Sequence, residues 1–205
     1  MKDLVVLVAD KNMEYAVKGL LGRPESLQIA PVQFDVFIHP RRDPGCLNEA
    51  HDFLRPVVNG YRHALVMFDR EGCGHEGESP DVLAQRVRER LRQNGWPERA
   101  DVVILDPELE IWVWLDSPDV INCLGWANRQ PSLREWLRDQ GHWPTNDPKP
   151  RRPKEAMEAA LRQVRKPRSS AIYLELAQRV NLQGHSEPAF QYFVDTLQAW
   201  FSRMP

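Results

Sequence analysis

Four short apolar segments alternate along this chain with segments whose apolar residues recur at helical spacing. The apolar segments are residues 4–9, 34–38, 63–68 and 101–105. The first of them has no polar residue before its end, which is typical of a strand covered on both faces of a parallel sheet. Helices are predicted at residues 12–21, 47–58, 79–95 and 108–115. This alternation predicts an α/β fold, with a four-stranded parallel sheet and helices on both of its faces.

The strand pattern ends at about residue 117, and helical periodicity replaces it at residues 132–140, 154–164, 169–180 and 187–203. The last segment carries the clearest apolar stripe, formed by Phe190, Phe193, Val194, Leu197 and Trp200. A stripe this apolar must be covered. We therefore predict an α/β domain at residues 1–117 and a C-terminal helical extension at residues 118–205 that packs on it.

Length and charge narrow the class of protein. The chain has 205 residues, enough for one domain with a substantial core, and a formal net charge of −2. That charge excludes a uniformly basic nucleic-acid-binding protein. No apolar run approaches the roughly 20 residues of a membrane span, and the N-terminus lacks the anatomy of a signal peptide. We therefore expect a cytoplasmic protein.

The three cysteines are Cys46, Cys73 and Cys123, and no two of them form a C-x-x-C pair. Free thiols in a reducing compartment are the favoured interpretation. A zinc site that combines Cys73 and His75 with Cys46 and His39 is the alternative, although its spacing matches no recognisable zinc motif.

Acidic residues follow three of the four predicted strands: Asp10 the first, Asp69 and Glu71 the third, and Asp106, Glu108 and Glu110 the fourth. The carboxyl ends of parallel strands meet at one edge of the sheet, where ligands bind. Hard cations such as Mg²⁺ take carboxylate oxygens as ligands. The pattern predicts a magnesium or manganese site for phosphoryl chemistry. The alternatives are helix caps at Asp10 and Asp106, and salt bridges from Asp69 and Glu71 to arginines.

The acidic motifs resemble those of the Toprim domain, which occurs in topoisomerases, primases and nucleases of the overcoming-lysogenization-defect type. More narrowly, the chain resembles Toprim-like proteins of bacterial anti-phage islands and a small component of methylation-associated defence systems. Three motifs carry the resemblance: Asp10-Lys11-Asn12-Met13-Glu14, then Asp69-Arg70-Glu71-Gly72, then Glu110-Ile111-Trp112. In this chain Asp10 stands where the family has Glu, Lys11 where it has Gly, and Glu71 where it has Asp.

The resemblance implies a metal-dependent nuclease site. It gives Asp10 the role of general acid/base and makes Asp69 and Glu71 metal ligands, so that these three are the catalytic residues. Asp10 and Glu110 are further candidate ligands, and Glu14 is an outer one, since it follows Asp10 by one helical turn. A helical period places Glu108 and Glu110 on opposite faces of their segment. The resemblance selects Glu110 for the site, and periodicity alone does not decide between the two.

Basic residues near the acidic edge and in a later segment are candidate contacts for nucleic-acid phosphates. Residues 149–168 hold eight Lys and Arg against two Glu, and such cations supply most non-specific affinity for nucleic acid. The predicted contacts are Lys11, Arg41, Arg42, Arg151, Arg152 and Lys154. A solvated helix face in the later segment, and a rigid turn at residues 39–45, are the alternatives.

The sequence thus predicts a Toprim-like, magnesium-dependent component that cleaves or binds nucleic acid in a prokaryotic anti-phage defence system. Other defence proteins are its expected partners. The alternative function is a non-catalytic scaffold or sensor subunit that docks larger proteins of such a system. A phospho-acceptor receiver domain is disfavoured, because it needs an acidic pair after the first strand and a fifth strand followed by Lys.

Overall fold

Four parallel strands form a single sheet at the centre of the fold. A computed structural model describes residues 1–182 and 186–202. The strands are β1 (Lys2–Val8), β2 (Phe34–Ile38), β3 (Tyr61–Asp69) and β4 (Ala100–Leu105), in the order β2-β1-β3-β4. In the register, Val6 of β1 is level with Val36 of β2 and with Leu65 of β3. The predicted four-stranded parallel sheet is confirmed.

The apolar runs form strands because the central strands are buried on both faces. Every residue from Leu4 to Val8 is 0% exposed, and so is every residue from Ala64 to Phe68. Side chains of a strand alternate between the two faces, so an uninterrupted apolar run needs a cover on each. The edge strand β2 is only partly buried, in keeping with its lower share of apolar residues.

Helices cover both faces of the sheet. The crossover helices are α1 (Lys11–Leu21), α2 (Arg42–Leu54) and α3 (Pro80–Gln93). The chain moves along the sheet in one direction from β1 to β2, and in the opposite direction from β2 to β3 and on to β4. Right-handed crossovers therefore place α1 on one face, and α2 and α3 together on the other. Contacts between α2 and α3 agree with this arrangement.

Within the described part of the chain, five further helices follow β4: α4 (Pro118–Cys123), α5 (Leu133–Asp139), α6 (Pro153–Gln163), α7 (Ser170–Arg179) and α8 (Pro188–Phe201). The α7 helix packs along α1, and α8 packs against β4. In α8, Phe193 and Leu197 are fully buried, and the backbone amide of Ala30 donates a hydrogen bond of 2.9 Å to the Phe201 carbonyl. The apolar stripe of α8 is thus covered by the rest of the chain.

The predicted start of α2 was wrong. The α2 helix begins at Arg42, not at residue 47, so residues 42–45 form its first turn. Pro44 is tolerated there because the first turn of a helix has no acceptors for its amides. Gly45 lets this turn pack over a buried His39, since a Cβ on Gly45 would lie 1.9 Å from the imidazole Nδ1.

The segment predicted as a helix at residues 108–115 is instead extended at Glu108 and forms a short 3₁₀ turn at Leu109–Trp112. Every residue from Glu108 to Trp114 is buried. Its apolar residues therefore reflect burial on all sides and not the stripe of a surface helix. The sequence also did not predict α4. Residue 203, at which the last predicted helix ended, lies outside the described residues.

The three cysteines are buried and reduced. Over residues 1–182 and 186–202, no cysteine belongs to a group of ligands able to hold a metal ion. The same residues contain no helix that combines the length and the apolar character needed to cross a membrane.

Because α1 packs closely on α7, a larger side chain at Gly19 should destabilise the protein. Replacing a glycine inside a helix by alanine ordinarily stabilises the protein by up to about 1 kcal/mol. At Gly19 the added Cβ would lie 2.6 Å from the Ala177 Cβ and 3.1 Å from the Leu174 carbonyl oxygen. We therefore expect Gly19→Ala to lower the free energy of unfolding by about 1–3 kcal/mol, measured by urea denaturation.

The matched control is Gly77→Ala, because a Cβ on Gly77 meets no atom within 4 Å. Ala177→Gly should restore part of the stability lost in Gly19→Ala, since it removes the nearest clashing carbon. A Gly19→Ala protein as stable as the wild type would contradict the packing described here.

Candidate metal centre

An acidic cleft of about 380 Å³ opens at the carboxyl edge of the sheet. It lies where β1 and β3 end, beside the first turns of α2 and α6. Its lining residues are Asp10, Arg42, Asp43, Asp69, Glu71, Gly72, Glu108, Lys154, Glu155 and Glu158. The predicted catalytic residues Asp10, Asp69 and Glu71 therefore face one cleft, as expected for residues that follow parallel strands.

Three carboxylates lie close enough to bind one cation. Asp69, Glu108 and Glu110 each offer an oxygen, and these three oxygens lie within 4.8 Å of one another. Cations such as Mg²⁺ and Ca²⁺ bind carboxylate oxygens at about 2.0–2.6 Å, so a shared ion requires separations of this size. This group, here called the carboxylate triad, can hold a metal ion.

Asp69 is held at the end of β3 by backbone hydrogen bonds. Its Oδ1 accepts from the Leu109 amide at 2.9 Å, and its own amide donates to the Asp43 Oδ1 at 2.9 Å. Beyond the sheet, the Glu71 amide donates to the Pro107 carbonyl at 2.9 Å. The loops after β3 and β4 are thereby fastened together, and this brings Asp69 next to Glu108 and Glu110.

Burial and neighbouring carboxylates oppose the ionised form of Asp69. Its pKa lies well above the ordinary value, first because of desolvation and then because of Asp43, Glu110, Asp10 and Glu108. The pKa of Asp43 is also raised, chiefly by desolvation, although the hydrogen bond from the Asp69 amide works against the rise. Without a cation, the protonated forms of Asp69 and Asp43 are therefore favoured.

Glu108 is buried, and its nearest cation, the Lys154 ammonium group, is too distant for a close ion pair. Its side chain is 4% exposed, and its pKa is raised to about 7, first by desolvation and then by Glu110. Its Oε1 accepts from the Lys154 amide at 3.0 Å, while the Lys154 Nζ lies 3.9 Å from Oε2. The first turn of α6 thus holds this carboxylate in place without neutralising it fully.

Glu110 is held by α7 and the residues before it. Its Oε1 accepts from Arg168 at 2.7 Å and from the Tyr173 hydroxyl. Arg168 also binds Glu158 at 2.7 Å, on the wall of the cleft. Burial and then the adjacent Glu110 raise the pKa of Tyr173, so its hydroxyl stays protonated and donates. The helical extension therefore fixes one member of the carboxylate triad.

The remaining predicted ligands differ in their surroundings. Asp10 caps α1, accepting from the Met13 amide at 2.9 Å, and also lines the cleft, so the cap and the cleft position coexist. Glu71 is exposed at the mouth of the cleft. Glu14 is paired with Lys18 at 2.6 Å and is not among the residues that line the cleft.

Of the six predicted phosphate contacts, Arg42 and Lys154 line the cleft. The other four are exposed and lie outside its wall: Lys11, Arg41, Arg151 and Arg152. Three of these are paired with acidic neighbours, namely Arg41 with Glu49, Arg151 with Asp147, and Arg152 with Glu155. The salt bridges to arginines that were the alternative for Asp69 and Glu71 are absent from the described contacts, where Arg70 binds Asp106 instead.

Sequence reasoning missed Asp43 as a cleft residue and did not choose Glu108. The residues around Asp43 were interpreted as a turn, although an acidic residue before a proline is also typical of a helix start. Glu108 and Glu110 were placed on opposite faces because an α-helical period was assumed. The extended backbone at Glu108, followed by a 3₁₀ turn, brings both carboxylates to one place.

A comparison of the chain with protein-family models, with curated proteins and with solved structures gives no significant match.

The raised pKa of Glu108 predicts a specific dependence of stability on pH. Between about pH 4.5 and pH 7 the unfolded chain releases the Glu108 proton while the folded protein retains it, so rising pH favours unfolding. Glu108→Gln replaces the ionisable carboxyl group by an amide that does not titrate, and the amide oxygen can still accept the hydrogen bond from the Lys154 amide. In metal-free buffer, its free energy of unfolding relative to wild type should rise on the order of 3 kcal/mol across that window.

Denaturation at a series of pH values measures this difference. Glu14→Gln is the control, because it removes a carboxylate that is paired with Lys18 outside the cleft. A stability difference between Glu108→Gln and wild type that does not change from pH 4.5 to pH 7 would show that Glu108 ionises normally.

Proposed function

We propose that the cleft binds Mg²⁺ or Mn²⁺ and uses it for phosphoryl chemistry on nucleic acid. The observation that carries the proposal is the carboxylate triad, whose three ligand oxygens lie within 4.8 Å at the carboxyl edge of a parallel sheet. Two of its members are buried, and such carboxylates are costly to leave ionised without a cation. Oxygen-only ligands of this kind suit Mg²⁺ and Mn²⁺ and disfavour softer metals.

The residues of the cleft would have different roles in phosphodiester hydrolysis. A bound cation supplies electrostatic stabilisation of charge on the phosphoryl oxygens. Asp69 and Glu108 would hold it, and Arg168 and Tyr173 fix the carboxylate of Glu110, the third candidate ligand. One oxygen of Asp10 is used in the α1 cap. Its other oxygen can take a proton from an attacking water, whose oxygen bonds to phosphorus as the bond to the leaving oxygen breaks. The leaving oxygen keeps the electron pair of that bond and takes a proton from solvent.

Cations on the wall of the cleft favour a polyanionic substrate. Arg42 and Lys154 line the cleft itself, and Arg151 and Arg152, each paired with an acidic neighbour, are exposed just before α6. Such residues neutralise backbone phosphates without reading base sequence. A role within an anti-phage defence system, together with other defence proteins, rests on the Toprim-like motifs alone.

A non-catalytic scaffold is the second candidate, and one observation favours it. Oε1 of Glu110 already accepts from Arg168 and Tyr173, and Glu108 already accepts from the Lys154 amide. Such a network can exist to fasten the helical extension to the sheet, with no ion bound.

Thermal melting tests for the metal. A cation present at about 100 times its Kd adds about 2.7 kcal/mol to the stability of the folded state, so millimolar Mg²⁺ should raise the Tm of the wild type. Asp69→Asn should abolish this rise. It keeps the acceptor for the Leu109 amide and removes a carboxyl group whose ionisation is opposed by burial and by neighbouring acids, so it should also raise the Tm without metal at pH 7.

Glu14→Gln is the matched control and should keep the Mg²⁺ response. A wild-type Tm that does not change on addition of Mg²⁺ or Mn²⁺ would refute the metal site. So would an Asp69→Asn protein whose Tm rises with Mg²⁺ as much as that of the wild type. Incubation with single- and double-stranded DNA and RNA then separates the two functions. Metal binding without cleavage of any of these nucleic acids would favour the scaffold.

A further inference from the structure

The loop between β3 and α3 holds two glycines in a conformation that other residues rarely adopt. Gly72 and Gly74 both have φ of +87°, and a Cβ added to either would meet no atom within 4 Å. The backbone therefore requires glycine here, while packing does not. Gly72 also lines the acidic cleft beside the carboxylate triad.

The amides of these glycines converge on a single carboxylate oxygen. Oε1 of Glu76 accepts from the Gly72 amide at 3.0 Å and from the Gly74 amide at 3.1 Å. The pKa of Glu76 is lowered, first by its own backbone amide and then by that of Gly74. Backbone amides that point at one anion form a concave site of the kind that binds phosphate in many proteins.

The rest of the loop fixes this arrangement of amides. Cys73, between the two glycines, has a side chain that is 1% exposed, and its amide donates to the Arg70 carbonyl. On one side the Glu71 amide is bonded to the Pro107 carbonyl, and on the other the Glu78 amide is bonded to the His75 carbonyl. The amides are thus preorganised, so an anion that binds them does not have to order the loop.

Glu76, in contrast, is free to leave. Its side chain is exposed, so moving it into water disrupts no apolar packing. The neighbouring side chains of His75 and Arg86 bind Glu78 and not Glu76 in the described contacts, so they do not hold Glu76 in place.

We propose that the Gly72 and Gly74 amides form a binding site for a phosphate group, which Glu76 occupies in the free protein and yields to the substrate. The inference deepens the proposed function and rests on it for its biological meaning, because it names the subsite that takes a phosphate beside the metal. Glu76 acts as an internal competitor for the two amides.

Inorganic phosphate is the probe, titrated in EDTA into ¹⁵N-labelled full-length protein and followed by the amide signals of Gly72 and Gly74. Glu76→Ala should lower the apparent Kd for phosphate at these two amides by about tenfold relative to wild type, because the competing charge-assisted hydrogen bonds are gone. Glu78→Ala is the matched control. It removes the same charge from the same loop, but Glu78 accepts neither glycine amide in the described contacts.

A second pair of variants tests the amides themselves. Gly74→Ala, combined with Glu76→Ala, should lose phosphate binding because alanine disfavours φ of +87°, whereas Gly77→Ala in the same background should keep it. Thermal melting confirms that each variant is folded. Oligonucleotides with and without a 5′-phosphate then show whether a terminal phosphate or a backbone phosphodiester shifts the two amide signals.

The proposal is overturned if phosphate moves neither glycine signal in the folded Glu76→Ala protein, or if Glu78→Ala tightens phosphate binding as much as Glu76→Ala. Because EDTA removes divalent cations, this result does not depend on the metal site. A chain that binds Mg²⁺ but shows no phosphate effect would keep the proposed function and lose only the subsite.

Discussion

Electrostatic repulsion among the carboxylates at the carboxyl edge of the sheet is the constraint around which the neighbouring structure is arranged. Asp69, Glu108 and Glu110 approach within 4.8 Å, and Asp43 lies against Asp69. Backbone amides and three donors from the helical extension, Lys154, Arg168 and Tyr173, offset part of this repulsion. They leave Asp69 and Glu108 with raised pKa values, so the site is incompletely compensated without a cation.

The helical extension and the sheet are therefore coupled through the cleft. The start of α6 supports Glu108, and residues just before and within α7 support Glu110. The α7 helix in turn packs along α1, whose cap is Asp10. A helix that served only to cover the sheet would not need to place its donors on buried acids, so stability and site geometry depend on the same contacts.

The architecture could be predicted because its signals are local. Uninterrupted apolar runs identify buried parallel strands, and residues such as Asp69 that follow them must lie at one edge. The triad could not be predicted fully, because it depends on the backbone between Pro107 and Trp112. Burial on all sides there gives an apolar pattern that resembles a helix, and an α-helical period separates Glu108 from Glu110. The partners Arg168 and Tyr173 lie 58 and 63 residues further along the chain, and no local pattern links them to Glu110.

The central claim is that the carboxylate triad binds a divalent cation. The most direct measurement is anomalous X-ray diffraction from crystals of the full chain soaked in Mn²⁺, with Asp69→Asn crystals soaked in parallel. The account predicts an anomalous peak within ligand distance of Asp69, Glu108 and Glu110 in the wild type, and none in the variant. Well-ordered wild-type crystals with no peak at the triad, or with an equal peak in the variant, would contradict it.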